Sequence, residues 1–303
     1  MKTKYEVEVN EKLLYSPLDI PEKKIGKYEI KHDVLKRGAE VTVVSLRNSL
    51  FYGIPSCKVN LPRERIIHKL CKQGHGILMT DSPQETFMMS QAVEKAHGDI
   101  LVGGLGLGYY PSVIAKDMIN GKNKKVKSIT VVEIDEKVIK LVAPYLPKNI
   151  KVVHADLFKY LASGKAKFDF AYIDIWYPTG QMEWSEYIVP LRRLIHKKYG
   201  FKDVECWAET EMQGQIRMSV LNRPQMEKLM GRSDTDYKYD PTLNAFYKAR
   251  KTIISFPETK SEDIDTAVLN IFLYHVGTEK WEKLFKWDEA LKEQKEFRKE
   301  NNY

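Results

Sequence analysis

The chain has 303 residues, of which 43% are hydrophobic and 30% charged, the composition of a globular protein with a full core. Its net charge of +8 is uneven: residues 201–303 carry 17 Lys/Arg against 19 Asp/Glu, and the first 200 carry 32 against 22. Lysine runs such as Gly121–Lys127 read as solvated loops, with nucleic-acid binding as the sharper alternative. No stretch is long and apolar enough to span a bilayer, and "MKTKYEVEVNEK" has no apolar signal region, so a cytoplasmic location is expected. Cys57, Cys71 and Cys206 lie far apart without CxxC spacing, and the seven histidines show no HxH or HExxH pairing. Neither a disulfide framework nor a metal site is expected.

Residues 1–80 read as a small β-rich domain. "KYEIKHDVL" and "EVTVVSLRNSLFYG" are strand-like, and the intervening "KRGA" predicts a hairpin; "GILMTD" predicts a further strand. A helix follows, capped by Asp81 or Ser82, with Pro83 at its first position and Glu85 three residues after Ser82. Met88 and Met89 on it read as core filler or as cofactor contacts. From residue 99 to about 210, buried strands alternate with helices: "DILVGG", "SITVVEID", "IKVVHAD", "FDFAYIDIW" and "FKDVECWAE" are the strands. That alternation predicts an α/β, doubly wound, Rossmann-like parallel sheet over residues 81–214. Residues 215–303 predict a mainly helical C-terminal extension.

The first of these strands runs into "VGGLGLG", which holds Gly103, Gly104, Gly106 and Gly108. A strand, a glycine turn and a helix bring backbone N–H groups to face a ligand, although the same spacing also serves a tight turn with none. The second strand ends in Glu133 and Ile134. Its carboxylate suits both hydroxyls of a ribose, or Glu133 and Asp135 cap the next helix. The third ends in Asp156 and Leu157, where an acid suits an adenine amine or, again, a helix cap. The fourth ends in Asp174, followed by Trp176 and Tyr177, which form either an acceptor site or a plain aromatic wall. His154, just before the third acid, reads as a packed core histidine. Three acids at successive carboxyl ends point to the crevice where open α/β sheets bind ligands.

"VGGLGLG", "VVEID", "HAD" and "DIWYP" together resemble the class I S-adenosylmethionine-dependent methyltransferases over roughly residues 80–210, and within them the spermidine synthase-like proteins. The resemblance implies a Rossmann-like methyltransferase sheet and S-adenosyl-L-methionine as cofactor. It places Gly103, Gly104, Gly106 and Gly108 at the cofactor's amino-acid end, Glu133 with Ile134 at the ribose, and Asp156 with Leu157 at the adenine. Asp174 stands beside the transferred group as a cofactor contact and, with Tyr177, as a catalytic residue that orients or deprotonates an amine acceptor, while Trp176 and Tyr177 bind the acceptor. Two departures stand out. The glycine turn lacks the family's acid, and Tyr177 replaces the second acid of the family's "DSSDP". Polyamine recognition needs several carboxylates, so methyl transfer to an amine-bearing small or medium acceptor is expected ahead of aminopropyl transfer. "DIWY" also resembles the motif of nucleic-acid base amino-methyltransferases, which makes that activity the alternative. A non-catalytic binding protein and assembly as a homo-oligomer complete the expectations.

Overall fold

A computed structural model describes residues 16–45, 55–176, 183–213 and 215. The chain divides into two compact units, 1–175 with 202–207, and 176–201 with 208–303. The predicted C-terminal helices, Tyr177 and Pro178 lie outside the described residues.

In the first unit, β1 (Lys23–Ile25), β2 (Tyr28–Leu35), β5 (Arg65–Lys72) and β6 (Gly76–Thr80) form an antiparallel sheet in the order β1-β2-β5-β6. β3 (Glu40–Val44) and β4 (Cys57–Asn60) pair separately. The expected hairpin across "KRGA" is therefore corrected. The first run contains β2 and the second begins with β3, its residues 46–53 lying outside the described residues; β2 takes β1 and β5 as neighbours, and β3 pairs with β4. The β3–β4 ribbon buries Val41, Val43 and Val44 with Leu61 as a small core of its own, against which Phe87 packs. Burial of two different faces thus decided the pairing.

Helix α1 (Pro83–Lys95) follows β6. Its start is the one the sequence predicts: Ser82 accepts from the Glu85 N–H at 3.4 Å. Asp81 does not cap. It is fully buried, its carboxylate accepting from the His68 backbone N–H at 2.7 Å and meeting His68 Nδ1 at 2.8 Å, while Arg65 donates to its carbonyl.

The central sheet contains β7 (Gly98–Gly103), β8 (Val126–Glu133), β9 (Ile150–His154), β10 (Phe170–Ile173) and β11 (Asp203–Cys206), all parallel, in the order β11-β10-β7-β8-β9. Helices α2 (Tyr109–Ile119), α3 (Glu136–Val142) and α4 (Leu157–Ala162) connect its strands. This is the doubly wound, Rossmann-like order. The chain moves outward from β7 through β8 and β9, then returns to β7's other side with β10. That reversal opens a crevice beyond the carboxyl ends of β7 and β10. The inner strands β7, β8 and β10 carry the apolar runs: Ile100, Leu101, Val102, Val131, Val132, Ala171 and Ile173 are all buried.

The two sheets share one core. Tyr28, Ile30 and Leu70 from the N-terminal sheet cluster with Ile100, Val102, Val131 and Leu141. In the second unit a helical segment leads from Trp184 into α5 (Val189–Tyr199), which buries Val189, Leu191 and Ile195 and pairs Arg192 with Glu209. No helix among the described residues is long and apolar enough to cross a membrane.

Candidate functional site

The glycine turn leaves β7 at Gly103 and enters α2 at Tyr109. The turn is held from behind by Glu133, the last residue of β8. One carboxylate oxygen accepts from the Leu105 N–H at 2.8 Å, and the other from the Asp135 N–H at 2.8 Å. Each oxygen keeps lone-pair capacity beyond that bond. Asp135 caps α3 through the Lys137 N–H. The two adjacent acids thus divide the functions considered in the sequence: Asp135 caps, while Glu133 braces the turn.

The chain itself fills much of the space that the glycines create. A Cβ at Gly104 would overlap the Asp174 carbonyl oxygen, and one at Gly106 would overlap the Met79 thioether. The same sulfur accepts from the Leu107 N–H at 3.3 Å. Gly103 faces Leu157 and Ile173, and Gly108 faces Leu146, so those two serve helix–sheet packing.

Gly104, Gly106 and Asp174 meet in one pocket, with about 300 Å³ of empty space including its mouth. Its walls include Met79 from β6, Met89 from α1, Tyr109 and Tyr110 from α2, and Tyr172 from β10. Tyr110 and Tyr172 stack with ring centroids 3.9 Å apart. Burial raises the Tyr109 hydroxyl to about 12, with smaller influences from Arg65, Thr86 and Asp81. Asp174 lies just past β10, half-buried, and its carboxyl is pushed up to about 7, first by burial and then by the nearby negative charge of Glu85. A carboxyl of that kind exchanges a proton near neutral pH.

The other predicted residues do not line this pocket; Asp156, Leu157 and Ile134 lie at the ends of β8 and β9. Asp156 is half-buried at the start of α4, where one oxygen accepts from the Lys159 N–H at 2.9 Å and the second is left for a ligand. Leu157 is buried against Gly103, and Ile134 is exposed beside β9. His154 corrects the expectation of a core histidine. It is exposed, with Nε2 3.0 Å from the Ile134 carbonyl oxygen, because β9 is the edge strand of the parallel sheet. Trp176 is buried.

Sequence reasoning missed the tyrosines. "GYYP" directly after the glycines was a usable signal, since the first residues of that helix must border the turn. Tyr172 gave none, because only the packing of β10 beside β7 brings it there. Met89, left open between core and ligand contact, is buried in the main core and also lines the pocket.

The residues fit an adenosyl-sulfonium ligand on chemical grounds. The pocket offers a carboxyl and aromatic faces to a cation, and two further acids stand at the ends of β8 and β9 for a nucleoside.

Residues 103–198 match the model of the spermine/spermidine synthase domain. The match runs from the glycine turn almost to the end of α5. A comparison with curated protein sequences finds no match. Among solved structures, the chain is similar to MnmC2 from Aquifex aeolicus, at 17% identity and a TM-score of 0.31, over 43% of this chain and 53% of that one. It is also similar to spermidine synthase from Thermotoga maritima, at 13% identity and a TM-score of 0.32, over 53% of this chain and 60% of that one. The chain thus spans only about half to three-fifths of either protein's length.

Proposed function

We propose that the protein is a transferase that binds S-adenosyl-L-methionine and passes its methyl group to an amine-bearing small or medium acceptor. The observation that carries this reading is Asp174, a carboxyl poised near neutrality in a tyrosine-lined pocket on the glycine turn. The cofactor would supply a carbon already activated by a positively charged sulfur. The chain's own task is to bind, align and manage one proton.

Glu133 would receive the ribose hydroxyls with the lone pairs its backbone bonds leave unused, and Asp156 would receive the adenine amine. The faces of Tyr109, Tyr110 and Tyr172 attract positive charge. Asp174 accepts a proton from the acceptor's ammonium at its carboxylate, a step suited to a group titrating close to the working pH.

Aminopropyl transfer from the decarboxylated cofactor is the second reading, favoured by the match of residues 103–198 to the spermine/spermidine synthase domain. Thermal unfolding with S-adenosylmethionine, S-adenosylhomocysteine and decarboxylated S-adenosylmethionine separates the two. Methyl transfer predicts the larger upward shift with the first pair, and aminopropyl transfer with the last. No shift with any of the three would sink both. Under either reading, Asp174→Ala keeps the shift and loses turnover by about a hundredfold or more.

A further inference from the structure

Met79 is the next-to-last residue of β6, and its backbone is anchored on both sides. It stands opposite Leu70 of β5, a residue of the main core, and the fully buried Asp81 follows two places later. Its half-buried side chain reaches the glycine turn. There the sulfur accepts from the Leu107 N–H, and the terminal methyl lies against Gly106 on the side where a Cβ would project. Met79 and Gly106 both line the pocket. A fixed backbone thus carries a long, adaptable arm that covers one backbone donor of the turn.

That donor is weakly held. Gly104 N–H bonds the Val132 carbonyl, Leu105 N–H the Glu133 carboxylate and Gly108 N–H the Leu105 carbonyl, all oxygen acceptors. Of these four groups, Leu107 N–H alone has only a sulfur. A thioether is a weak acceptor, whereas a bond from N–H to a carboxylate is charge-assisted and roughly twice as strong as a neutral one. The neighbouring wall also favours negative charge. At the hydroxyl of Tyr109, two residues after Leu107, the pull of buried Arg65 exceeds the opposing charge of Asp81.

We infer that Met79 is the specificity-determining residue for the carboxylate of the adenosyl ligand's amino-acid arm: the carboxylate displaces the thioether from the Leu107 N–H, and the methionine side chain swings aside. This rests on the pocket being the adenosyl-sulfonium site proposed above. A ligand without the carboxylate leaves the sulfur in place. The site thereby tells S-adenosylmethionine from its decarboxylated form at a backbone donor, although no Lys or Arg lines the pocket.

NMR of the methionine-methyl-labelled chain reads the exchange directly. The Met79 methyl should show a nuclear Overhauser contact to a Gly106 α proton, since a Cβ there would lie 2.9 Å from Met79 Cε. S-adenosylhomocysteine should abolish that contact and shift the Leu107 amide resonance. Decarboxylated S-adenosylhomocysteine and methylthioadenosine should leave the contact intact at saturation. Met79→Ala removes the competing acceptor. In isothermal titration its preference for S-adenosylhomocysteine over the decarboxylated form should exceed that of wild type by about threefold or more. A merely structural role would move both affinities alike. Absence of the contact before ligand is added, its loss with a ligand lacking the carboxylate, its survival with bound S-adenosylhomocysteine, or an unchanged preference overturns the role of Met79 while the adenosyl site stands. If the wild type binds none of the three nucleosides, the reading of the pocket fails and the role of Met79 falls with it.

Discussion

Asp174 couples the chemistry of the pocket to the stability of the fold. An unfolded aspartate titrates near 3.9, about three units below the folded value of about 7. Between those values the native chain holds a proton that the unfolded chain has released. Stability therefore falls as pH rises from about 4 to about 7, and levels off above that. Asp174→Asn removes the charge, so its stability relative to wild type should rise over the same interval. A gain of roughly 2 kcal/mol at alkaline pH, allowing for partial exposure, is expected from denaturant titrations at several pH values. A pH-independent difference between the two proteins would show that burial does not perturb this carboxyl. Asp174 was legible in the sequence because it ends a strand that had to be buried. The tyrosines beside it were less so, since Tyr172 reads as an ordinary residue of a buried strand until the sheet is packed.

Among the elements, the glycine turn carries the most information. Gly104 has φ +89° and faces a backbone carbonyl, whereas Gly106 has φ +50° and faces the far end of a flexible methionine. The two alanine variants should therefore differ. Gly104→Ala must displace the end of β10 and is expected to cost about 3 kcal/mol or more. Gly106→Ala meets a side chain that can swing away and should cost about 1 kcal/mol. Chemical denaturation of the pair measures the difference, and equal costs would contradict the packing described for Asp174. The spacing of these glycines indicated a close approach but not its partner, which turned out to be the chain itself at every one of the four positions. The N-terminal strands teach a related lesson. Period and turn residues located β2 and β3, yet their pairing depended on which faces found α1 and the central sheet to cover them.

At the scale of the whole molecule, the four-stranded and five-stranded sheets of the first unit share one core, while the β3–β4 ribbon keeps its own. Leu70 belongs to the antiparallel sheet but is buried in the cluster that includes Ile100, Val102 and Val131. Leu70→Ala should cost about 3 kcal/mol. In hydrogen exchange, amide protection should fall in β7 and β8 as well as in β2 and β5. Loss confined to the N-terminal sheet would mean that the two sheets unfold independently. The buried cluster of Arg65, His68 and Asp81 ties β5 to the start of α1 within the same unit, so the helix carrying Glu85 and Met89 is anchored from the side of the N-terminal sheet.

The sequence by itself determined the alternation of strands and helices, the glycine turn and the three strand-end acids. Each follows from local rules: apolar runs must be buried, turns need positive φ, and acids cannot lie within apolar strands. Tertiary structure alone decided which strands pair, what fills the space beside the glycines, and that Tyr109, Tyr110 and Tyr172 share a pocket with Asp174. Those facts depend on contacts between segments far apart in the chain, and the side-chain pattern of one segment does not encode its neighbour. The closest case is Glu133. The sequence put an acid at the end of β8, and only the folded chain revealed that it already grips the turn a ligand would approach.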